Sequence, residues 1–115
     1  MKKSYLRGQI YLVKPLANSD EKDTQSYKTR PAIIVSNDIG NRRSKYVSIV
    51  YMSGRQREKP LPTHVINIGD CGTALCEQIY TVAKERLISS VKHRCSDDEM
   101  KAVDHALSVC LGLAR

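Results

Sequence analysis

The sequence predicts a small, mainly β domain of five or more mostly antiparallel strands with one C-terminal helix. Short runs of β-branched and aromatic residues, separated by polar turn-forming segments, recur along the chain as far as Val82. After Ser96 the pattern changes to apolar residues at helical spacing. Because 115 residues suffice for one buried core and not for two, we expect a single domain over residues 1–115.

Three strands are predicted in the first half of the chain. They cover residues 10–13, 32–35 and 46–52, and the second is a continuous apolar run typical of a buried strand. Residues 16–29 are polar and lack hydrophobic periodicity, which predicts a long loop of the kind that often carries function. Residues 41–45 form a basic, turn-rich link.

Two further strands are predicted in the second half, over residues 64–68 and within residues 73–82. A polar loop precedes the first of them, and a glycine-rich turn at 69–72 separates the two. Residues 84–87 are consistent with a single helical turn. The order of these segments favours antiparallel neighbours joined by short connections.

The C-terminal helix is predicted from its first turn and from its apolar stripe. Ser96 and Glu99 have the spacing of a capping box, and acidic residues in the first turn favour the helix dipole. The residues that follow the helical repeat and should pack against the strands are Met100, Val103, Leu107, Cys110, Leu111 and Ala114.

The charge of the chain favours a polyanionic partner. Nineteen Lys and Arg residues against twelve Asp and Glu residues give a net charge of +7. Such a surface gains affinity for nucleic acid through the release of counterions. A basic surface also serves solubility alone, so the charge does not identify the partner by itself.

Neither a metal centre nor a membrane segment is predicted. The four cysteines form no C-x-x-C pair and lack the Cys/His spacing of a zinc site, so we expect no metal and no cofactor. Arg7 and Lys14 interrupt any apolar segment near the N-terminus, and no apolar run is long enough to cross a bilayer. The sequence therefore predicts a cytoplasmic protein without membrane contact.

Several short strings stand in a consistent order and spacing, at residues 7–11, 29–35, 37–41, 61–65, 77–79 and 85–87. Together with the final helix they cover nearly the whole chain. In this order they resemble the MazF/PemK/Kid family of type II toxin–antitoxin endoribonuclease toxins.

The resemblance implies a fold, a reaction and partners. The fold is an SH3-like small β-barrel with a C-terminal helix, assembled as a homodimer with an RNA-binding groove. The reaction is metal-independent cleavage of single-stranded RNA, such as mRNA, at short sequence motifs. In it the 2′-hydroxyl attacks the adjacent phosphorus and leaves a 2′,3′-cyclic phosphate and a 5′-hydroxyl. The partner is an acidic antitoxin protein that neutralises the toxin.

Two residues match the catalytic positions of that family. Arg30 matches the arginine that holds the negative charge of the phosphorane-like transition state, and Pro31 restricts the backbone before it. Ser53 stands where the family usually has threonine; it retains the hydroxyl but lacks the methyl group that restricts χ1. Guanidinium is a poor proton acceptor, so the general base stays unidentified.

Further residues are predicted to contact RNA. His64 has a side chain suited to proton transfer, but its position at the start of a strand favours a structural or RNA-facing role. Gln25 replaces an acidic residue common in the family, which reduces repulsion of RNA and removes a possible proton acceptor. The predicted RNA-binding residues are Gln25, Lys28, Asn37, Arg42, Arg43, Arg55, Arg57, His64 and Gln78.

Two other functions are open at this point. One is a barrel that binds nucleic acid without cutting it, for which Ser53 and Gln25 would be the causes of inactivity. The other is a gyrase-targeting toxin of the same superfamily, which would not need Arg30. The basic clusters at 42–45 and 55–57 favour a nucleic-acid substrate over a protein target.

Overall fold

The computed structural model describes residues 3–15, 29–54 and 59–114, which form one six-stranded sheet and two α-helices. Most of the predicted loop at 16–29 and residues 55–58 of the polar loop before the fourth predicted strand lie outside these ranges, as do Gln25, Lys28, Arg55 and Arg57. The elements are β1 (Gln9–Val13), β2 (Arg30–Ile34), α1 (Asp38–Arg43), β3 (Tyr46–Ser53), β4 (His64–Val65), β5 (Thr73–Ala83), β6 (Leu87–Arg94) and α2 (Asp97–Cys110).

All described strand pairs are antiparallel, in the spatial order β4-β5-β3-β2-β1-β6. The mainly β fold with a C-terminal helix is confirmed. The described part of the sheet is open, because β4 and β6 are its two edges and are not paired with each other. In this respect the structure differs from a fully closed barrel.

The strands bury side chains on both faces of the sheet. One face, here called the helix face, packs Ile10, Ile33 and Val50 together with Val103 and Ala106 of α2. The opposite face, here called the tyrosine face, is formed by Tyr11, Val13, Ala32, Ile34, Val47, Ile49, Tyr51, Val82 and Leu87. Side chains alternate between faces along a strand, so β2 directs Arg30 toward the same side as Ala32 and Ile34.

The start of α2 is fixed by Glu99, as the capping box predicts. The Ser96 hydroxyl accepts the Glu99 backbone N–H at 3.1 Å, and Oε1 of Glu99 accepts the Ser96 N–H at 2.9 Å. The same carboxylate reaches the turn before β5, where Oε2 accepts the Gly69 N–H at 2.9 Å, and it lies 2.9 Å from Nε2 of His93 on β6. Although burial opposes them, the hydrogen bonds from Ser96, His93 and Gly69 lower the pKa of Glu99.

Two elements differ from the prediction. The link at 41–45 is partly helical, because Asn37 caps α1 by accepting the Gly40 N–H at 2.7 Å. The other is β6, for which no strand was predicted. Most of its residues are exposed and polar, and it is held by pairing with β1. The predicted helical turn after β5 is confirmed as a 3₁₀ turn at Lys84–Arg86.

Candidate active site at the ends of β2 and β3

Arg30 and Ser53 lie at the same end of two neighbouring strands. Arg30 begins β2 and Ser53 ends β3, and the ladder between these strands pairs Ala32 with Tyr51. The last pair of that ladder lies two residues from each of them, and by alternation along the strands both Arg30 and Ser53 lie on the tyrosine face. Arg30 also donates to the carbonyl of Met52, the residue before Ser53. The two predicted catalytic residues therefore lie at the same end and on the same face of neighbouring strands.

The guanidinium of Arg30 is supported by an aromatic ring. Its Cζ atom lies 4.5 Å from the centroid of the Tyr51 ring. Nη1 donates to Oε1 of Gln78 at 3.3 Å, and Nη2 donates to the Met52 carbonyl at 3.4 Å. Both hydrogen bonds are long, so the position of the guanidinium depends mainly on the Tyr51 ring and on the strand that carries Arg30.

Gln78 reaches Arg30 from β5, the strand on the other side of β3. Val50 pairs with Ile79, which packs on the helix face, so the preceding Gln78 lies on the tyrosine face. Beyond this pair the ladder is irregular, since Met52 pairs with Ala74 and β5 carries extra residues between the two pairs. The contact joins this predicted RNA-binding residue to the Arg30 group.

The charge of Arg30 is retained in this setting. Partial burial lowers the pKa of Arg30, and the phenols of Tyr51 and Tyr80 counteract that effect in part. Guanidinium remains protonated in proteins even when its pKa falls somewhat. The site therefore presents a permanent cation with directed N–H donors at a partly exposed strand end.

Ser53 is placed by a close contact between backbones. It pairs with Thr73, and the preceding Gly72 has φ +108°, a conformation that favours glycine. A Cβ atom at Gly72 would collide with the Ser53 carbonyl oxygen. The absence of a side chain at Gly72 thus allows the turn to lie against the end of β3 and sets the position of Ser53.

His64 is held by hydrogen bonds at both ring nitrogens. The Leu61 backbone N–H donates to Nδ1 at 3.0 Å, so Nδ1 is an acceptor and the proton belongs on Nε2. Nε2 then donates to Glu77 at 3.1 Å, and the side chain is only 7% exposed. This geometry favours the structural role among those predicted for His64.

Glu77 completes that group. Its other carboxylate oxygen accepts the Thr63 hydroxyl at 3.0 Å. Partial burial raises the pKa of Glu77, but hydrogen bonds from its own backbone, His64 and Thr63 outweigh it and lower the pKa overall. Glu77 therefore carries a stable negative charge that helps to hold the turn before β4 against β5.

The predicted RNA-binding residues on and beside α1 do not join the Arg30 group. Arg42 and Arg43 are exposed in the last turn of α1, and Asn37 is its cap. Because α1 connects the end of β2 to the start of β3, it lies at the opposite end of these strands from Ser53. The length of β3 separates the two ends by about 20 Å. The register therefore does not place Arg42, Arg43 and the catalytic pair along a single groove within one chain.

Cys71, Cys76 and Cys95 lie in settings that raise the thiol pKa and disfavour the thiolate. Burial raises the pKa of both Cys76 and Cys95 to about 12. Cys95, between β6 and α2, is buried. Among residues 3–15, 29–54 and 59–114, no group of three or more His, Cys, Asp or Glu could hold a metal ion.

Comparison with known proteins agrees with this geometry. Residues 6–111 match a family described as PemK-like, MazF-like toxin of type II toxin-antitoxin system. The chain belongs to this family. The Endoribonuclease MazF of Staphylococcus saprophyticus is 33% identical to it over 93% of this chain and 91% of that protein.

Two solved structures of endoribonucleases share the fold. An endoribonuclease from a mycobacterial species in complex with its cognate antitoxin is 26% identical, with a TM-score of 0.79 over 97% of this chain and 99% of that one. A second mycobacterial endoribonuclease is also 26% identical, with a TM-score of 0.76 over 98% and 96% of the two chains. The family resemblance seen in the sequence is confirmed.

Two members of the site were not predicted. Tyr51 was included only as part of a strand, and Tyr80 was not singled out at all. A signal existed for Tyr80, since it directly follows the family-like string at 77–79 and lies two residues after Gln78, on the same face of β5.

In the described part of the chain no helix is long and apolar enough to span a membrane.

Proposed function

We propose that this chain is an endoribonuclease toxin that cuts single-stranded RNA, with Arg30 as its catalytic cation. The observation that carries the proposal is the placement of the Arg30 guanidinium over the Tyr51 ring, at a partly exposed strand end that β2 shares with the Ser53 end of β3. Membership of the PemK/MazF family and the relative named as an endoribonuclease support the same activity.

The reaction is a transfer of phosphorus between two oxygens of the substrate. The 2′-oxygen of one ribose forms a bond to the adjacent phosphorus, and the bond from phosphorus to the 5′-oxygen of the next nucleotide breaks. The products are a 2′,3′-cyclic phosphate and a 5′-hydroxyl. The 2′-hydroxyl loses its proton to a base and the leaving oxygen gains one, so atoms and charge balance without water or metal. Neither proton-transfer group is assigned.

Arg30 stabilises the charge that builds on the non-bridging oxygens during this step. A planar guanidinium can donate two parallel hydrogen bonds to a phosphate, and its bonds are stronger because it is charged. The present partners of Arg30 hold it only through long hydrogen bonds, at 3.3 and 3.4 Å. An incoming phosphate can therefore replace them at little cost.

Ser53 and Gln78 have supporting roles. The Ser53 hydroxyl, at the end of the neighbouring strand, donates to the same phosphate and fixes its orientation. Gln78 orients the guanidinium and contacts the RNA beside it. Gln25, Lys28, Arg55 and Arg57 are proposed to bind RNA, together with Asn37, Arg42 and Arg43, whereas His64 is proposed to hold the turn before β4.

The proposal is tested on a long transcript of mixed sequence, with an RNA duplex and supercoiled DNA plus gyrase as comparison substrates. We expect cuts in single-stranded RNA at short motifs, with cyclic phosphate and 5′-hydroxyl ends identified by end-specific labelling. Binding of the transcript without cutting would point to the non-catalytic barrel. Inhibition of gyrase with no RNA cleavage would point to the protein-targeting toxin.

The partners follow from the charge and from the solved relative bound to its antitoxin. We propose an acidic, partly disordered antitoxin that covers the RNA surface of a homodimer in the cytoplasm. Charge reversal at Arg42, Arg43, Arg55 and Arg57 should then weaken RNA and antitoxin together, and added salt should weaken both. Unchanged antitoxin binding alongside lost RNA binding would contradict a shared surface.

A further inference from the structure

Tyr80 is an exposed aromatic residue beside the candidate active site. It lies on β5, pairs with Ile49 of β3 and shares the tyrosine face with Gln78 and Val82. Its relative exposure is 39%, whereas that of its neighbour Tyr51 is 2%. One tyrosine of this pair is thus a buried support and the other is open to a ligand.

The buried ring of Tyr51 limits the distance between the Arg30 guanidinium and the Tyr80 ring, because it contacts both. The guanidinium lies 4.5 Å from the Tyr51 centroid, and the Tyr80 centroid lies 5.1 Å from it. The guanidinium and the Tyr80 ring can therefore be at most about 10 Å apart. Because Tyr51 is packed among β-strand side chains, this spacing is set by the sheet and not by a loop.

The orientation of the two rings leaves a face of Tyr80 uncovered by Tyr51. Their planes meet at 64°, an edge-to-face arrangement. In such a contact at most one face of either ring is used. Tyr80 can then accept a second flat group without losing the contact that positions it.

Single-stranded RNA offers a matching pair of groups. Each phosphate is flanked by nucleobases, and unstacked bases bind to aromatic side chains while phosphates bind to cations. A phosphate on Arg30 brings its neighbouring base within reach of Tyr80. We propose that Tyr80 stacks on a nucleobase adjacent to the cleaved phosphate and so positions that phosphate on Arg30. This inference rests on the endoribonuclease function proposed above.

Tyr46 provides a matched control. It is also an exposed tyrosine, with a relative exposure of 56%, and it lies on a strand of the same sheet. It begins β3, so the length of that strand separates it from Ser53. Substitution there tests the loss of an exposed aromatic side chain without altering the surroundings of Arg30.

The experiment measures binding and stacking on RNA that should resist cutting. The probe carries the mapped cleavage sequence with 2′-deoxyribose at the cleaved step and 2-aminopurine on one side or the other of that step. Stacking quenches 2-aminopurine fluorescence. Wild type, Tyr80→Phe, Tyr80→Leu and Tyr46→Leu are compared, and a thermal melt of each variant checks its fold.

We expect wild type, Tyr80→Phe and Tyr46→Leu to quench one of the two probes with similar Kd. Tyr80→Leu should lose the quenching and weaken Kd about 5- to 150-fold, the factor that corresponds to one base–aromatic stack. On the all-ribose RNA its loss should appear mainly in KM, with kcat less affected, because the reacting groups remain.

Equal quenching and equal Kd for Tyr80→Leu and wild type would overturn the inference. So would normal RNA binding by Tyr80→Leu combined with weakened antitoxin binding, since Tyr80 would then be a protein contact. Failure of wild type to cut all-ribose RNA would instead overturn the proposed function. In that case the probe carries mixed sequence, and the same fluorescence comparison still decides whether Tyr80 stacks on bases.

Discussion

Replacing Arg30 separates its role in the reaction from its role in the fold. Arg30→Ala removes the donor that meets the transition-state charge, and loss of one such donor costs a factor of about 100 to 1,000 in rate. That factor corresponds to about 3–4 kcal/mol of activation free energy. Arg30→Lys restores the charge without the planar fork, so its rate should lie between those of Arg30→Ala and wild type.

The expected effect on stability is much smaller. The contact of Arg30 with the Tyr51 ring contributes about 0.5–1 kcal/mol at a partly exposed site, and its two hydrogen bonds are long. A loss of about 1 kcal/mol lowers Tm by roughly 2–8 °C in a domain of this size and leaves the protein folded at assay temperature. Reduced cleavage by Arg30→Ala will therefore not result from unfolding.

The assay is single-turnover cleavage at saturating enzyme, which reports the chemical step. Arg94→Ala is the matched control, because it removes an exposed arginine that pairs with Gln9, at the other end of β1 from the residue that pairs with Arg30. We expect its chemical step to stay within about threefold of wild type. Full activity of Arg30→Ala, or an equal loss in Arg94→Ala, would refute the assignment.

Three further outcomes are expected. Ser53→Ala should reduce the single-turnover rate less than Arg30→Ala does, since Ser53 orients the phosphate without carrying charge; an equal or larger loss would contradict that role. Gly72→Ala should lower Tm more than Gly112→Ala, because both have positive φ but only Gly72 faces a backbone collision. Similar Tm values would refute the close contact. Burial raises the pKa of Glu99, but its hydrogen bonds outweigh that effect and hold the pKa below the unfolded value. The stabilisation of the fold by this carboxylate is therefore present at neutral pH and is lost as the pH falls through the folded pKa. Between about pH 5 and pH 3 the Tm of wild type should fall more steeply than that of Glu99→Gln, and parallel curves would be the contrary result.

Local signals were sufficient for much of the fold. The capping box at Ser96 and the apolar stripe behind it correctly predicted α2, and β-branched runs correctly predicted β1 to β5. The stripe is shorter than predicted, because α2 ends at Cys110 and both Leu111 and Ala114 lie beyond it and are exposed. The predicted strand at 64–68 is shorter in the structure, where β4 covers His64–Val65. Beyond β4 only Ile68 of that segment is buried, and it is held by a turn.

The two missed elements lack such signals. Strand β6 is largely polar and exposed, so its extended form depends on pairing with β1, which is distant in sequence. Helix α1 has six residues and no apolar period, and it depends on the Asn37 cap. Sequence patterns report local preference, whereas these elements are selected by tertiary contacts.

The candidate site likewise depends partly on residues that can be identified in the sequence and partly on tertiary contacts that cannot. Arg30 and Ser53 could be singled out through the family resemblance, but their proximity depends on the register of β2 and β3. The contact with Gln78 depends on the pairing of β5 with β3, which no local pattern indicates. Tyr80 was missed because an exposed tyrosine on a strand is common in surfaces without function.

The central claim is that the substrate's own 2′-hydroxyl is the nucleophile and that no metal takes part. The most direct measurement uses two RNAs with the mapped cleavage sequence, one all-ribose and one with 2′-deoxyribose only at the cleaved step, each in excess EDTA. The account predicts that the all-ribose RNA is cut to a 2′,3′-cyclic phosphate end, while the deoxy RNA is bound and stays intact. Cutting of the deoxy RNA at a similar rate, or activity that disappears in EDTA and returns with added divalent metal, would contradict it.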